Sequence, residues 1–184
     1  MEIYLIRHTT PAIEKGICYG QVDLDLAQSF ENEVAKILKT NNLNNISKVY
    51  SSPLKRCTKL ALKFSKNLET DSRLMELSFG DWELKKWDDI PKSEIDPWMN
   101  DFVNVKVPNG ESYIQLAERA NDVFTEIIKK NTNSKKIIIV THSGIIRSII
   151  AKITNVSLIN SFDIKIEYGQ LFKIKKQNNI LKLT

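Results

Sequence analysis

The sequence predicts an α/β fold, a three-layer sandwich in which a mostly parallel, doubly wound sheet is flanked by helices. Two short apolar runs rich in β-branched residues, 1–7 and 135–141, are typical of buried parallel strands. A long segment with helical periodicity, 111–130, lies between them. The 184 residues, 42% apolar and 27% charged, suffice for one hydrophobic core. We therefore expect a single domain over residues 1–184.

The first half of the chain predicts a further strand and helix. Residues 48–51 form a short apolar run, and Ser52 and Pro53 then have the character of an N-cap and a first helical residue. The apolar side of this expected helix comprises Leu54, Cys57, Leu60, Ala61 and Phe64. Strands and helices thus alternate, as a parallel sheet requires.

The second half continues this alternation. Ser112 with Gln115 three residues later forms a capping box at the start of the 111–130 helix. A second helix, 144–152, follows the 135–141 strand directly. Residues 169–176 and 180–183 around Asn178-Asn179 predict a terminal hairpin. Residues 74–108, with three tryptophans, three prolines and no clear period, predict an insertion or lid over one end of the sheet.

Composition excludes several classes of protein. Most of the 27 cationic residues are lysines scattered singly or in pairs, a pattern of solvated faces rather than of nucleic-acid binding. Every apolar run is shorter than the about 20 residues of a membrane helix, and no leader pattern opens the chain, so we expect a cytoplasmic protein. Cys18 and Cys57 are expected to be free thiols, and no motif indicates a metal or cofactor. The sequence leaves the oligomeric state open, a homodimer included.

Four scarce polar residues fall where strands end. Arg7 and His8 follow the first strand, and His142 follows the 135–141 strand. Arg56 lies in the expected first turn after the second strand. In open parallel sheets, ligands bind outside the carboxyl ends of the strands. A single histidine at a strand end is usually structural, but two histidines together with two arginines predict a site.

The chemistry of this cluster points to a phosphoryl group. Arginine forks bind phosphate oxygens, and the helix start at Pro53 adds N–H donors. A neutral imidazole attacks phosphorus when the charge on the transferring oxygens is neutralised, so His8 is the candidate nucleophile and His142 a donor. Glu76 stands among apolar residues and is the candidate proton donor. The alternative interpretation of Glu76 is a solvated carboxylate in a turn.

Five motifs in order along residues 1 to about 155 resemble those of the histidine phosphatase superfamily, whose fold is called phosphoglycerate mutase-like. They are LIRHT at 5–9, SSPLKR at 51–56, the Glu76 segment, NGES at 109–112 and VTHSG at 140–144. The resemblance implies that His8 is the phosphorylated nucleophile and that Glu76 donates the proton. It also implies that Arg7, Arg56 and His142 bind the phosphoryl group.

The segment RHTTP at 7–11, followed by GICYGQVD at 16–23, is similar to the α-ribazole phosphatase branch of cobalamin biosynthesis. This similarity implies a small phosphate ester, α-ribazole 5′-phosphate, as the substrate. The expected substrate contacts beyond the phosphoryl ligands are Thr9, Tyr19, Gly20 and Ser143. Four aromatic residues either supply a stacking surface for a flat base or form the core of the insertion. They are Tyr19, Phe79, Trp82 and Trp87.

Other interpretations of the function stay open. Asp23-Leu24-Asp25 has the letters of a haloacid-dehalogenase-type nucleophile motif, but no clean strand precedes it. Neither Cys18 nor Cys57 has the arginine that a cysteine phosphatase requires. A broad-specificity phosphatase and a phosphoglycerate mutase share the expected pocket, and a silent phosphate-binding module is the alternative without catalysis.

Overall fold

The computed structural model describes residues 1–178 and 180–184. In this part of the chain a six-stranded sheet has the order β3-β2-β4-β1-β5-β6. The strands are β1 (Glu2–Arg7), β2 (Lys48–Ser51), β3 (Leu68–Thr70), β4 (Lys136–Thr141), β5 (Leu171–Gln177) and β6 (Ile180–Leu183). The α-helices are α1 (Phe30–Thr40), α2 (Lys55–Ala61), α3 (Lys92–Asn100), α4 (Tyr113–Lys130) and α5 (Ser143–Thr154).

The sheet is parallel at its centre and antiparallel at one edge. Strands β3, β2, β4 and β1 pair in parallel, and β5 and β6 add antiparallel strands beside β1. The predicted α/β fold with a mostly parallel sheet is therefore confirmed. The predicted terminal hairpin is β5–β6. Asn178 lies in its turn, and Asn179 lies outside the described residues.

Alternating side chains of the central strands build the two apolar layers. Ile3 and Leu5 face α4 and α5 on one side, whereas Tyr4 and Ile6 face α1 and α2 on the other. Burying each such aliphatic side chain contributes about 1.5–3 kcal/mol. A one-residue slip would expose the whole set, so the register of β1 on β4 is strongly determined. This register pairs Arg7 with Thr141, which brings the residues after both strands together.

Part of the segment between β3 and α4 packs with Cys18 around a small separate core, whereas Leu74 and Leu77 of this segment belong to the main core. Three 3₁₀ helices, Ser72–Leu74, Gly80–Trp82 and Trp87–Asp89, precede α3. The buried members of this core are Cys18, Trp82, Ile90 and Val107. The Trp82 indole is fully buried, and its Nε1 donates to Glu94 Oε2 at 2.8 Å. Trp82 is therefore a core residue rather than a stacking surface.

No helix among the described residues is both long and apolar enough to cross a bilayer.

Candidate active site

The two histidines meet at the carboxyl edge of the sheet. Because β1 and β4 are paired in register, the backbone N–H of His8 donates to Thr141 O at 3.0 Å. The imidazole rings of His8 and His142 lie 5.0 Å apart between centroids, and both residues are almost fully buried. The sequence-predicted pair is thus one cluster.

His8 is held as a neutral imidazole with one free nitrogen. Its Nδ1 lies 2.7 Å from the carbonyl oxygen of Thr9, and since a carbonyl only accepts, Nδ1 carries the proton. Nε2 therefore keeps its lone pair. Burial lowers the pKa of His8 well below its ordinary 6.5, and the charges of Arg56 and Arg7 lower it further. The ring is accordingly neutral at neutral pH, the form that nucleophilic attack requires.

His142 contacts the protein through its other ring nitrogen, Nε2. Its Nε2 lies 2.9 Å from Ser52 Oγ and 3.4 Å from Cys57 Sγ, while its Nδ1 is buried without a partner among the described residues. Burial raises the pKa of the Cys57 thiol to about 12, so the thiol stays protonated and can donate. When the hydroxyl or thiol donates to Nε2, the ring proton is on Nδ1.

Burial also lowers the pKa of His142 well below 6.5, and the charges of Arg56 and Arg7 lower it further. The neutral ring thus offers one N–H donor to the site. Sequence reasoning missed the contributions of Ser52 and Cys57. The signal for Ser52 was its place directly after a strand, which it shares with both histidines.

The two arginines contact the loops above the sheet. Arg7 Nη1 donates to Ile166 O at 2.6 Å, and its Cζ lies 3.8 Å from the centroid of the Tyr168 ring. Arg56 is fully buried, and its Nη1 donates to Val22 O at 2.8 Å and its Nη2 to Gly20 O. Nε of each guanidinium is buried without a partner in the described part of the chain. Each therefore retains N–H donors for an anion.

The expected helix start at Pro53 is wrong. Helix α2 begins at Lys55, whose backbone N–H donates to Asp23 Oδ1 at 2.7 Å. Ser52 lies three residues before the helix, and its hydroxyl contacts His142 Nε2 at 2.9 Å and accepts from the backbone N–H of Leu54 at 3.4 Å.

Glu76 is positioned by three donors. Its Oε1 accepts from the backbone N–H of Leu77 at 3.0 Å, and its Oε2 accepts from Ser143 Oγ at 3.1 Å and Gly144 N at 3.2 Å. A Cβ added at Gly144 would lie 2.4 Å from Glu76 Oε1. Ser143, expected to contact substrate, places its hydroxyl on Glu76, although the residue also lines the cavity described below.

Arg119 and Glu111 hold the backbone of the Glu76 segment in place through hydrogen bonds. Arg119 Nη1 donates to Met75 O at 2.6 Å and its Nη2 to Glu76 O at 2.9 Å. Its Nε pairs with Glu111 Oε1 at 2.7 Å, and Glu111 Oε2 accepts from Ser78 N at 3.0 Å. The NGES motif at 109–112 therefore acts through the backbone that carries Glu76.

A cavity of about 160 Å³ opens beside these residues. Its walls are mainly apolar, and its lining includes Arg7, His8, Tyr19, Glu76, Phe79, Trp98, Phe102, Tyr113, Ser143, Gly144, Arg147 and Phe162. Tyr19 and Phe79 thus face the cavity, as expected for substrate contacts. Trp98 also lines it, whereas Trp87 stacks on Trp98 outside the lining.

The two other residues expected to contact the substrate, Thr9 and Gly20, are not part of the cavity lining. Thr9 is fully buried, and its Oγ1 has no partner among the described residues. Gly20 supplies the carbonyl that accepts from Arg56, and a Cβ there would come within 1.9 Å of Leu77 O. Tyr168, which the sequence did not single out, hydrogen-bonds Tyr19 through the two hydroxyl groups at 2.6 Å and stands 5.6 Å from the His8 ring.

The fold and this site define a phosphatase that uses histidine, and comparisons with known proteins agree. A family model described as "Histidine phosphatase superfamily (branch 1)" matches residues 3–183. The chain therefore belongs to the histidine phosphatase superfamily, and it is a hydrolase that acts on phosphate monoesters.

Individual relatives differ in the substrates that their names give. The metal-independent phosphoserine phosphatase of Arabidopsis thaliana is 31% identical over 168 residues, which are 85% of this chain and 70% of that protein. A Hydrogenobacter thermophilus protein, provisionally named a phosphoserine phosphatase, is 28% identical over 94% of this chain and 88% of its own. The crystal structure of the α-ribazole phosphatase from Shigella flexneri matches with a TM-score of 0.90 at 20% identity, over 100% and 95% of the two chains.

Proposed function

We propose that this protein hydrolyses small phosphate monoesters through a covalent phosphohistidine on His8. One observation carries the proposal: four buried polar atoms without a partner among the described residues belong to side chains at the edge where His8 lies. They are Arg7 Nε, Thr9 Oγ1, Arg56 Nε and His142 Nδ1. Each unsatisfied buried group costs about 1–3 kcal/mol, and phosphoryl oxygens would satisfy all four.

The geometry supports a two-step transfer. His8 Nε2 attacks phosphorus, the P–O bond of the ester breaks, and Glu76 gives its proton to the leaving oxygen. Water then attacks phosphorus and breaks the P–N bond, and the Glu76 carboxylate takes the proton of that water. Arg7 and Arg56 neutralise the charge on the phosphoryl oxygens in both steps, and the neutral His142 ring donates a hydrogen bond to one of these oxygens.

The size of the cavity favours a small leaving group. Ligand pockets for larger organic molecules measure about 300–1,000 Å³. The cavity here has about 160 Å³, and the Tyr19–Tyr168 contact stands at its His8 side. We therefore place small esters first.

α-Ribazole 5′-phosphate is the second candidate, with a role in cobalamin biosynthesis. It is supported by the loop at 16–23 and by the apolar walls. This larger ester requires Tyr19 and Tyr168 to separate. A cytoplasmic location and a single domain in which residues 74–108 cover the site remain predictions of the sequence, which leaves a homodimer open.

Trapping the intermediate tests the proposed reaction. Rapid quench of the wild-type protein with phosphorus-labelled p-nitrophenyl phosphate should yield an acid-labile, alkali-stable phosphoprotein, and His8→Ala should yield none. His142→Ala is the matched control, because it removes a hydrogen-bond donor but leaves the nucleophile. This variant should still form labelled phosphoprotein, but more slowly than the wild type. Wild-type turnover by His8→Ala would refute the mechanism.

A further inference from the structure

We infer that Ser52 is a positioning residue that fixes the ring proton of His142 on Nδ1, so that this nitrogen donates to the phosphoryl group. This inference rests on the proposed function, because His142 acts there as a hydrogen-bond donor. Ser52 itself contacts the imidazole on its other side and not the substrate. Its hydroxyl thus acts on the reaction only through the histidine.

The surroundings of Ser52 leave its hydroxyl proton one good acceptor. Ser52 is fully buried, and its Oγ accepts from the backbone N–H of Leu54 at 3.4 Å. The same oxygen lies 2.9 Å from His142 Nε2. In residues 1–178 and 180–184, no carbonyl or carboxylate oxygen accepts a hydrogen bond from this hydroxyl. Because a buried donor without an acceptor is destabilising, the hydroxyl donates to Nε2.

A thiol beside the same nitrogen is the competing donor. Cys57 Sγ lies 3.4 Å from His142 Nε2, and burial raises the pKa of this thiol to about 12, so it keeps its proton. A thiol is a weak donor, however, and a neutral ring nitrogen has one lone pair to offer. The closer and stronger donor, the Ser52 hydroxyl, therefore occupies that lone pair. Cys57 is a packing neighbour of the ring.

The other tautomer of His142 would oppose phosphoryl binding. The two nitrogens of an imidazole point away from each other, and the hydrogen bond at one of them determines what the other offers. Nδ1 is buried without a partner among the described residues, in a ring whose centroid lies 5.0 Å from that of His8. A proton on Nε2 would leave a lone pair on Nδ1, which repels phosphoryl oxygens. A proton on Nδ1 makes it a donor.

Nitrogen-15 NMR of the histidine side chains tests the tautomer directly. The chain has two histidines, so the signals of His142 are assigned by their loss in His142→Gln. In the ligand-free wild type we expect the shift of a protonated nitrogen at Nδ1 and of an unprotonated nitrogen at Nε2. Cys57→Ala should show the same pattern, because the hydroxyl remains. Adding Ser52→Ala to Cys57→Ala should abolish this pattern, because both donors to Nε2 are then gone.

Ser148→Ala is the matched control for the loss of a buried hydroxyl. Ser148 is fully buried on α5, and its Oγ donates to Ile145 O, away from His142. This variant should keep the wild-type tautomer. A proton on Nε2 in the wild type or in Cys57→Ala would overturn the inference, as would an unchanged Nδ1 proton in the double variant. The wild-type spectrum decides the question even where a variant does not fold.

Turnover gives a second readout that depends on the donor. Relative to Cys57→Ala, the double variant with Ser52→Ala should lower kcat/KM about 10²-fold, as expected for the loss of one donor to transition-state oxygens. The loss should be equal for an alkyl phosphate and p-nitrophenyl phosphate, because this donor acts on the phosphoryl group and not on the leaving group.

In the His142→Ala background, the same two substitutions should cost little further activity. Full additivity with His142→Ala would overturn the inference, as would a loss that depends on the leaving group.

Failure of the proposed function would look different. In that case no labelled phosphoprotein forms and the wild type hydrolyses none of the esters, p-nitrophenyl phosphate included. The tautomer is measured in the ligand-free protein and does not require turnover, so the spectra still support or overturn the role of Ser52.

Discussion

Replacing Gly144 by alanine should displace one reacting group of the proposed mechanism, the carboxyl group of Glu76. The added Cβ would lie 2.4 Å from Glu76 Oε1, whereas ordinary contacts begin at 3.4 Å, so the carboxyl must move by about 1 Å. The movement strains three hydrogen bonds, from Leu77 N, Ser143 Oγ and Gly144 N. A misplacement of this size costs on the order of 10²-fold when the group transfers a proton in the transition state.

The assay compares leaving groups. An alkyl phosphate needs a proton on its leaving oxygen, whereas the phenolate of p-nitrophenyl phosphate leaves unaided. Gly144→Ala should therefore lower kcat/KM for the alkyl ester about 10²-fold more than for p-nitrophenyl phosphate, as should Glu76→Gln. Ser143→Ala is the milder control, since it removes one of the three hydrogen bonds without a clash.

Combining the two changes gives a second criterion. Because both act through one carboxyl group, Gly144→Ala should cost little further activity in the Glu76→Gln background. Equal losses on both esters in Gly144→Ala would refute the reasoning and indicate that the substitution disturbs phosphoryl binding. Full additivity of the two substitutions would refute it as well.

Two further predictions concern pH and metal ions. Burial lowers the pKa of His8 and His142 well below 6.5, so the unfolded chain binds protons that the folded chain does not. Stability is therefore complete above about pH 7 and falls as the pH drops below 6.5, by up to about 1.4 kcal/mol per histidine and pH unit in urea titrations. His142→Gln should reduce this slope, and an identical slope would contradict it. Activity should persist in EDTA because the arginine side chains balance the charge of the phosphoryl group. Loss of activity in EDTA and its recovery with Mg²⁺ would favour the alternative in which Asp23 and Asp25 react.

Local sequence signals predicted the central architecture because they depend on neighbours in the chain. Short apolar runs predicted β1 and β4, the 3.6-residue period predicted α4, and the segments around Asn178-Asn179 predicted the terminal hairpin, each within a few residues of the observed bounds. Both histidines directly follow the parallel strands β1 and β4, and Arg7 is the last residue of β1, so the strand predictions placed all three at one edge of the sheet. The rule that ligands bind outside the carboxyl ends of the strands in open parallel sheets then predicted that these residues form one site.

Other features depended on contacts between distant segments, which no local pattern encodes. Ser52 had the sequence context of an N-cap, yet its hydroxyl contacts His142, 90 residues further along the chain. Trp82 and Phe79 lie close together in sequence, but only packing decided that Trp82 is buried and that Phe79 faces the cavity. The position of Arg147 on the cavity wall, where its Nε donates to Ile164 O, is likewise a tertiary fact. The sequence by itself thus predicted the fold class and the meeting of the two histidines at one edge of the sheet, because each histidine directly follows a parallel strand. The tertiary structure decided which side chains shape the leaving-group side, because that wall joins loops and helices from across the whole chain.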